Sequence, residues 1–239
     1  MKRRKKVNSE HLAILKTGKV ENWNRWRKEN PEITPDLLGS NLQGEFLQGA
    51  NLRETDLRET DLQEADLREI DLQGAFLQRA ILRETDLRGT NLQEANLREA
   101  NLQSANLQEA FLQGANLREA DLRGANLREA NLRGAYLQGA NLQEAFLQGA
   151  ILRGAYFLGA KFKNTTYGEG VPISKEPIQI IGLRWFVLIF DQHMKIGCEF
   201  HSFDEWENFT DERIDKMHRE ALTFWKENKK RLLDICKNR

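Results

Sequence analysis

The stretch "GANLREADLRGANLREANLRGA", residues 114–135, decides how this chain folds. A leucine returns every five residues, at Leu117, Leu122, Leu127 and Leu132. Alanine stands two positions before each of these leucines, with Asp or Asn between, and Arg follows, then Glu or Gly. Outward from this stretch the spacing holds without an insertion from Leu37 to Phe162, about 26 units in register. A short period kept for so long is the mark of a solenoid, in which one small structural unit stacks on itself.

A period of five excludes a plain amphipathic helix. At ~100° per residue a step of five turns ~140°, so the leucines would spiral around the helix rather than form a stripe. Short strands fit better, because residues two apart face the same way in a strand. The small residue and the leucine then both point inward, and the three polar positions turn outward around a corner. Each buried leucine contributes roughly 1.5–3 kcal/mol, against backbone ordering of ~1–2 kcal/mol per residue. One coil has no mate for its leucines, so stability comes from stacking many coils. A narrow interior explains the small inward partner and flags the departures from it. Ile70 is oversized, and the hydroxyls of Thr55, Thr60, Thr85 and Thr90 need hydrogen bonds inside the wall. Glu45 would point a carboxylate inward in the first coil, where partial solvation is expected.

These residues resemble the pentapeptide-repeat family, whose unit reads A(D/N)LXX, and the resemblance covers residues 35–164. It implies a mainly β fold, a right-handed quadrilateral parallel β-helix with four units, or 20 residues, per turn. At ~4.8 Å between stacked strands the rod would be ~30 Å long. Sorting the sequence by twenties places the outward residues on four faces. Most positions just before a centre are Asp or Asn, so the apolar ones stand out. Phe76, Tyr136 and Tyr156 share one face, Phe46 and Phe146 a second, Phe111 and Ile151 a third, and Ile81 stands on the fourth. Phe76, Ile81 and Phe111 lie mid-rod and are the candidates for contact with an external partner. Tyr136, Phe146, Ile151 and Tyr156 lie in the last two coils and are the candidates for an interdomain surface, covered by the C-terminal region.

Some members of this family mimic DNA and act on gyrase through a strongly acidic face. Residues 35–164 hold 19 acidic and 14 basic residues, a net of −5 spread along the rod. A duplex carries about one charge per 1.7 Å, so that field is absent. Across the whole chain 30% of residues are charged and the formal net charge is zero, which gives no general pull toward nucleic acid or membrane. The longest apolar run, "WFVLIF" at residues 185–190, is far below the ~20 residues a membrane span needs. No long apolar stretch follows the basic start, so no secretory signal is read there. Two cysteines fit a reducing compartment, and a cytoplasmic protein is expected.

The two ends carry different signals. Residues 1–34 read as a basic tail, "KRRKK", and a helical cap. "SEHLAILKTG" is a short helix from Ser9 to a stop at Gly18, and "KVENWNRWRKENP" is a second one halted by Pro31. Val20, Trp23 and Trp26 give it an apolar face for the first coil. Residues 165–239 break the repeat and read as a small α+β module, after a Gly- and Pro-bearing linker at residues 168–177. "IQIIGLRWFVLIF" suggests one or two strands and "HMKIGCEF" another. Ser202 with Glu205 makes a capping box, Thr210 repeats the signal, and a last helix runs from about His218 to Lys237. The module resembles one attached to other bacterial repeat proteins.

The chemistry-bearing residues are His193, Cys198, His201, His218 and Cys236. His193, Cys198 and His201 could give three zinc ligands, but paired CxxC knuckles are absent. A Cys198–His201 nucleophile pair needs hydrogen-bond reach and an orienting group. The sequence supplies neither, and the stretch reads instead as a packed strand-to-helix join. The reading is therefore a non-enzymatic scaffold or spacer for protein–protein interaction, without cofactor, whose partner is an unidentified protein or a second copy of the chain as a homodimer. The alternatives are a DNA-mimicking modulator of gyrase and a thiol- or metal-dependent activity in the C-terminal module.

Overall fold

A computed structural model describes residues 9–17, 19–180 and 182–238. The basic run at residues 2–6 and the helix stop expected at Gly18 lie outside these residues. The chain divides into two compact units between Ser174 and Lys175. The sequence boundary after residue 164 marks the end of the repeat, and the structural division falls later because the next residues still pack with the first unit.

The first unit opens with helices α1 (Ser9–Thr17) and α2 (Val20–Glu29). Ser9, where the sequence starts this helix, is itself helical. Trp23 is fully buried, and its indole N–H donates to the carbonyl of Asn51 at 2.8 Å. The cap also supplies acceptors that a preceding coil would have given. His11 Nδ1 accepts the N–H of Asp36 at 3.0 Å, and the Asn24 side chain accepts that of Asn51 at 2.8 Å. Glu45 is half-exposed, as expected for an open first coil, and pairs with Lys16 at 3.2 Å.

In the repeat every leucine at a centre is buried, and so is the small residue before it from Ala50 to Ala155. Parallel bridges join residues twenty apart, as in Asn96 to Asn116 and Asn116 to Tyr136, with a turn in every unit between. A coil is therefore twenty residues with four corners. The expected strands shrink to one bridging residue per unit, because the turn takes the rest. In each turn the small residue donates its N–H to the leucine carbonyl three back, with the residue before it, mostly Gly or Glu but Arg79 and Ser104 too, at positive φ. That is the type II pattern, which normally asks for glycine. Glu119, at φ 60°, adopts it as a non-glycine residue, which costs roughly 1–2 kcal/mol.

Where Asp or Asn opens a unit within the rod, all five of its N–H groups have partners. In the unit Asn116–Ala120, Asn116 donates to Ala95 below at 2.9 Å and Leu117 to Tyr136 above at 2.7 Å. Arg118 donates to the side chain of Asn116 at 3.3 Å, Glu119 to Gln138 above at 3.0 Å, and Ala120 to Leu117 at 3.1 Å. Polar backbone groups in a wall only one chain thick thus have partners.

Departures from alanine are felt locally. The turn hydrogen bond spans 2.7–3.2 Å at the alanines and 2.8–3.4 Å at the threonines, and is longest at Ile70, 3.5 Å, the largest side chain in that position. The buried threonines find partners one coil below. Thr60, Thr85 and Thr90 donate to the carbonyls of Leu37, Leu62 and Leu67. Thr55 has no repeat coil beneath it, and its hydroxyl reaches only Arg53, at 3.4 Å.

The first unit ends in an antiparallel hairpin, β1 (Thr165–Tyr167) with β2 (Val171–Ile173). Tyr167 is buried, with its hydroxyl 3.4 Å from the Ala150 carbonyl, and burial pushes its phenol up to about 12.

The second unit is an antiparallel meander, β3 (Ile178–Ile180), β4 (Val187–Ile189), β5 (His193–Ile196) and β6 (Glu199–Ser202), in that order. Helices α3 (Phe203–Asn208), α4 (Asp211–Asp215) and α5 (Ala221–Lys237) follow. The capping box forms at α3, where Ser202 and Glu205 bond reciprocally, and Thr210 caps α4. The core joins Val187 and Met194 of the sheet to Trp206, Phe224, Trp225 and Leu232 of the helices. One reading is corrected here. Residues 193–200 are not one strand but two, joined by the two-residue turn Gly197–Cys198. Gly197 sits at φ 60° in its first position, a type II′ arrangement that matches strand twist.

Two outcomes follow for the first unit. Leu107→Ala is expected to cost about 2–5 kcal/mol in chemical denaturation, because a sealed wall cannot collapse onto the cavity. Tyr167 has a raised pKa in the folded state, so its contribution is complete below the unfolded value near 10 and is lost as pH rises toward 12. The expected loss is about 2–3 kcal/mol over that window, and Tyr167→Phe should flatten that part of the stability profile.

Candidate functional site

The outer faces of the repeat follow one local rule. Every Asp or Asn before a centre accepts, through Oδ1, the N–H of the residue two positions on, as Asn106 does for Gln108 at 3.3 Å. This Asx turn satisfies the one N–H that the neighbouring coils do not reach. An apolar residue at this position gives the bond up. The glutamines that follow Phe76, Phe111, Tyr136 and Phe146 also each bury a side-chain oxygen without a partner, at Gln78, Gln113, Gln138 and Gln148. Unsatisfied polar groups therefore gather at the apolar outliers rather than along the rod at large.

The outliers are accessible. Phe76 is 42% exposed, Ile81 38% and Phe111 46%. The bridges stack Phe76 on Asp56 and under Asn96, and Ile81 on Asp61 and under Asn101. Phe76 and Ile81 occupy consecutive units, on adjoining faces. Phe111 stacks on Asn91, in the column two faces away from that of Ile81. The three residues thus form one pair and one separate point, not a single patch. Near the end of the rod Tyr136 and Tyr156 stack in one column, with ring centroids 5.1 Å apart and planes 6° apart. Arg118 lies 4.4 Å from the Tyr136 ring and Arg128 4.5 Å from that of Phe146. Phe146, Ile151 and Tyr156 are exposed. Two further exposed residues lie outside both candidate groups, Phe46, which the sequence already marks as an apolar outlier, and Leu158, which it does not. Phe46 is 82% exposed in the first coil, and Leu158 is 76% exposed. Leu158 replaces the Gln or Arg usual just after a centre, and that break in the pattern was the signal available.

The family description "Pentapeptide repeats" matches residues 36–68, 61–98, 95–134 and 130–166, in 8 copies. The chain belongs to the pentapeptide-repeat family. Proteins of this family fold as right-handed quadrilateral β-helices and are generally non-enzymatic. Among solved structures the chain is similar to a trypsin-treated form of QnrB1, a plasmid-mediated fluoroquinolone resistance protein, at 21% identity. That match covers 54% of this chain and 69% of the other, with a TM-score of 0.38. It is 32% identical to HetL of Nostoc sp. strain PCC 7120, a pentapeptide repeat protein involved in heterocyst differentiation regulation, over 57% of this chain and 80% of that one, with a TM-score of 0.24. It is also 32% identical to Rfr23 of Cyanothece 51142, over 60% of this chain and 97% of that one, with a TM-score of 0.23. No curated protein matches the chain.

Charge on this pentapeptide-repeat rod is neutralised within the unit. In each Asp-Leu-Arg unit the arginine folds back on its own aspartate, as Arg58 on Asp56, Arg68 on Asp66, Arg88 on Asp86 and Arg123 on Asp121. The Arg68 guanidinium holds the Asp66 carboxyl below its usual range, chiefly through their hydrogen bonds. With Asn in that place there is no ion pair within the unit, and Arg118 and Arg128 keep only a long bond to Oδ1 of their own Asn116 and Asn126, at 3.4 and 3.3 Å. Arg53 then reaches Asp71 and Arg98 reaches Glu119, while Arg118 and Arg128 lie over the aromatic rings.

The residues of the second unit that carry chemistry are kept apart. Adjacent residues of a strand point to opposite faces. His193 pairs with Ser202 and His201 with Met194, so the two histidines lie on opposite faces of the sheet. His193 stacks on Phe200 at 5.2 Å, and burial lowers its pKa. His201 Nε2 meets Glu199 at 2.9 Å, and its ring stands edge-on to Trp206 and Phe209. Cys198 is exposed in the hairpin turn and Cys236 is buried in the core. Among the described residues no three His, Cys, Asp or Glu side chains gather as a metal site.

Removing an Asx acceptor tests the rule for the outer faces. Asn106 also accepts from the Asn126 amide at 3.1 Å. Asn106→Ala is expected to lower stability by about 1 kcal/mol in denaturant titration; an unchanged midpoint would remove the Asx bond from the account.

Proposed function

We propose that this chain is a non-enzymatic interaction scaffold, in which the pentapeptide-repeat rod presents side chains to a protein partner. The carrying observation is the pair Phe76 and Ile81, exposed mid-rod at positions where Asp or Asn would satisfy a backbone N–H. Each gives up that bond and sets an apolar group in water, a combination that folding does not reward. Contact with a partner rewards it, by taking the apolar area out of solvent. Phe111 offers a second point on another face. Tyr136, Phe146, Ile151 and Tyr156 are assigned to an interdomain surface in the same proposal, and a right-handed coil and a cytoplasmic setting belong to it too. No helix among the described residues is long and apolar enough to cross a membrane.

Gyrase modulation by DNA mimicry is not favoured. The Asp-Leu-Arg pairs cancel charge where a mimic would need it uncompensated.

The test is affinity purification of full-length protein from its native cells, alongside a variant carrying Phe76→Asn, Ile81→Asn and Phe111→Asn. Asparagine at these positions supplies the Asx acceptor, so the rod is expected to stay folded by circular dichroism. A protein held by the wild type and lost with the variant is the expected outcome, and identical recovery would overturn the assignment of this surface. Inhibition of gyrase supercoiling by the purified wild type would replace this reading with the mimicry one.

A further inference from the structure

One face of the rod sorts its charge along its length. It is the column that runs from Asn51 through Asp71, Asn91, Phe111 and Asn131 to Ile151, with the corner residues that follow each. Glu94 is exposed in the coil below Phe111. Beyond Glu94 this column and its corner hold no acid, only Arg133 and Arg153. The two arginines are exposed in successive coils, with the Gly134 N–H on the Arg153 carbonyl at 3.0 Å. Their backbones are thus stacked at about 4.8 Å. Every other arginine of the repeat has an acidic partner or an aromatic ring. Among the described residues Arg133 and Arg153 have neither, and Glu94 has no ion pair. Like charges set side by side in neighbouring strands do not favour folding.

The open part of this face has a centre. At its lower end α2 covers the first coil, where Trp23 and Asn24 bond to Asn51 and Arg27 donates to the Arg53 carbonyl at 3.0 Å. At its upper end the column stops at Ile151, because position 171 already belongs to β2. The open stretch therefore runs over five coils, from Asp71 to Ile151, and Phe111 is its middle residue. Glu94 lies one coil below Phe111 and Arg133 one coil above; Asp71 lies two below and Arg153 two above. Such a face complements itself when a second copy is laid on it upside down. Phe111 then meets Phe111, Arg133 meets Glu94 of the second copy, and Arg153 meets its Asp71. Two copies laid in the same direction would set Arg133 on Arg133 and Glu94 on Glu94, so charge selects the inverted arrangement.

We propose that two copies of this chain associate face to face and antiparallel through this column, about a two-fold axis at Phe111. The inference rests on the scaffold reading only in treating Phe111 as a contact point, and it names a second copy as what Phe111 touches. Ile151, assigned above to the interdomain surface, lies at the rim of this contact. Five coils about 4.8 Å apart and about 10 Å wide present roughly 240 Å², well under the ~800 Å² per partner of a standard interface. Association is therefore weak, with a Kd expected between about 10 μM and about 1 mM. Exposed ion pairs add little strength, and here they set the register.

Sedimentation equilibrium of the purified full-length protein, from about 10 μM to about 1 mM, reads the association. A monomer–dimer equilibrium is expected within that range. Phe111→Asn supplies the Asx acceptor and should weaken the dimer by at least about tenfold while the circular dichroism spectrum is kept. Arg133→Glu and Glu94→Arg should each weaken it as well, by bringing like charges together. Arginine is tolerated at the positive φ of Glu94, since Arg79 holds the equivalent place at 61°. The double variant should recover wild-type association, because within one chain the two sites are two coils, about 9.6 Å, apart. Raising salt from about 0.05 M to about 0.5 M should weaken the wild-type dimer several-fold, a readout that needs no variant. A wild type that stays monomeric at about 1 mM, a double variant that does not recover, or a dimer lost with Phe76→Asn and kept with Phe111→Asn would overturn the proposal. A monomer that binds a glutamate-rich peptide would assign the arginines to an acidic partner and overturn it too. Capture of a protein through Phe76 and Ile81 is read separately in the native-cell purification, so the two readings fail independently.

Discussion

Each coil of the repeat lends its peptide groups to the next, and everything else about the first unit follows from that loan. A wall one chain thick has no second layer in which to hide an unpaired N–H. The solution is a fixed exchange at a separation of twenty residues, with the remaining N–H groups met by the corner and by the Asx side chain. A single inserted residue would shift every exchange that spans it, about one coil's worth, which disfavours a slip anywhere in the period. The first coil has nothing below it, and there the helices act as a substitute coil through His11, Trp23 and Asn24. The cap is thus part of the hydrogen-bond account rather than a separate domain resting on it. It also blunts a sheet end that would otherwise pair with another chain.

The same geometry sets the electrostatics. Asp and Asn serve the backbone equally, since either supplies the Oδ1 acceptor, but they send the neighbouring arginine to different places. Aspartate draws it back into a local ion pair, and asparagine, which offers at most one long bond, lets it reach the coil above or lie over an aromatic ring. Exposed pairs of this kind add little stability. Their effect is to shape the outer field, giving a rod with many charges and little net potential.

The repeat was legible because its period is a direct image of its geometry. Inward leucines, small inward partners and the need of the threonines for acceptors could all be read from spacing alone. The Asx role of Asp and Asn could not, because it depends on which N–H the stacking leaves over. The second unit was harder for a related reason. Residues 193–200 show no break in polarity, and the reversal at Gly197 is set by cross-strand pairing. That pairing then decided the chemistry. His193, Cys198 and His201 are close in sequence, but the pleat turns the histidines to opposite faces and Cys198 lies exposed in the turn. Leu158 follows a centre instead of preceding one, so the Asp/Asn rule that marks the other outliers does not reach it.

Regularity gives the outliers their meaning. In an irregular protein an exposed phenylalanine at 42% is ordinary. Here more than a dozen equivalent positions show what the backbone asks for, and Phe76, Ile81 and Phe111 refuse it. They share that refusal with the column of Tyr136 and Tyr156, but those rings stack on each other and on Arg118, so packing within the rod offsets part of the loss. Phe76 and Ile81 have no such partner directly above or below, where the columns hold Asp and Asn. The physical distinction between the two groups is therefore not their exposure but whether the rod itself makes use of them, and the mid-rod pair is the one it leaves for something else.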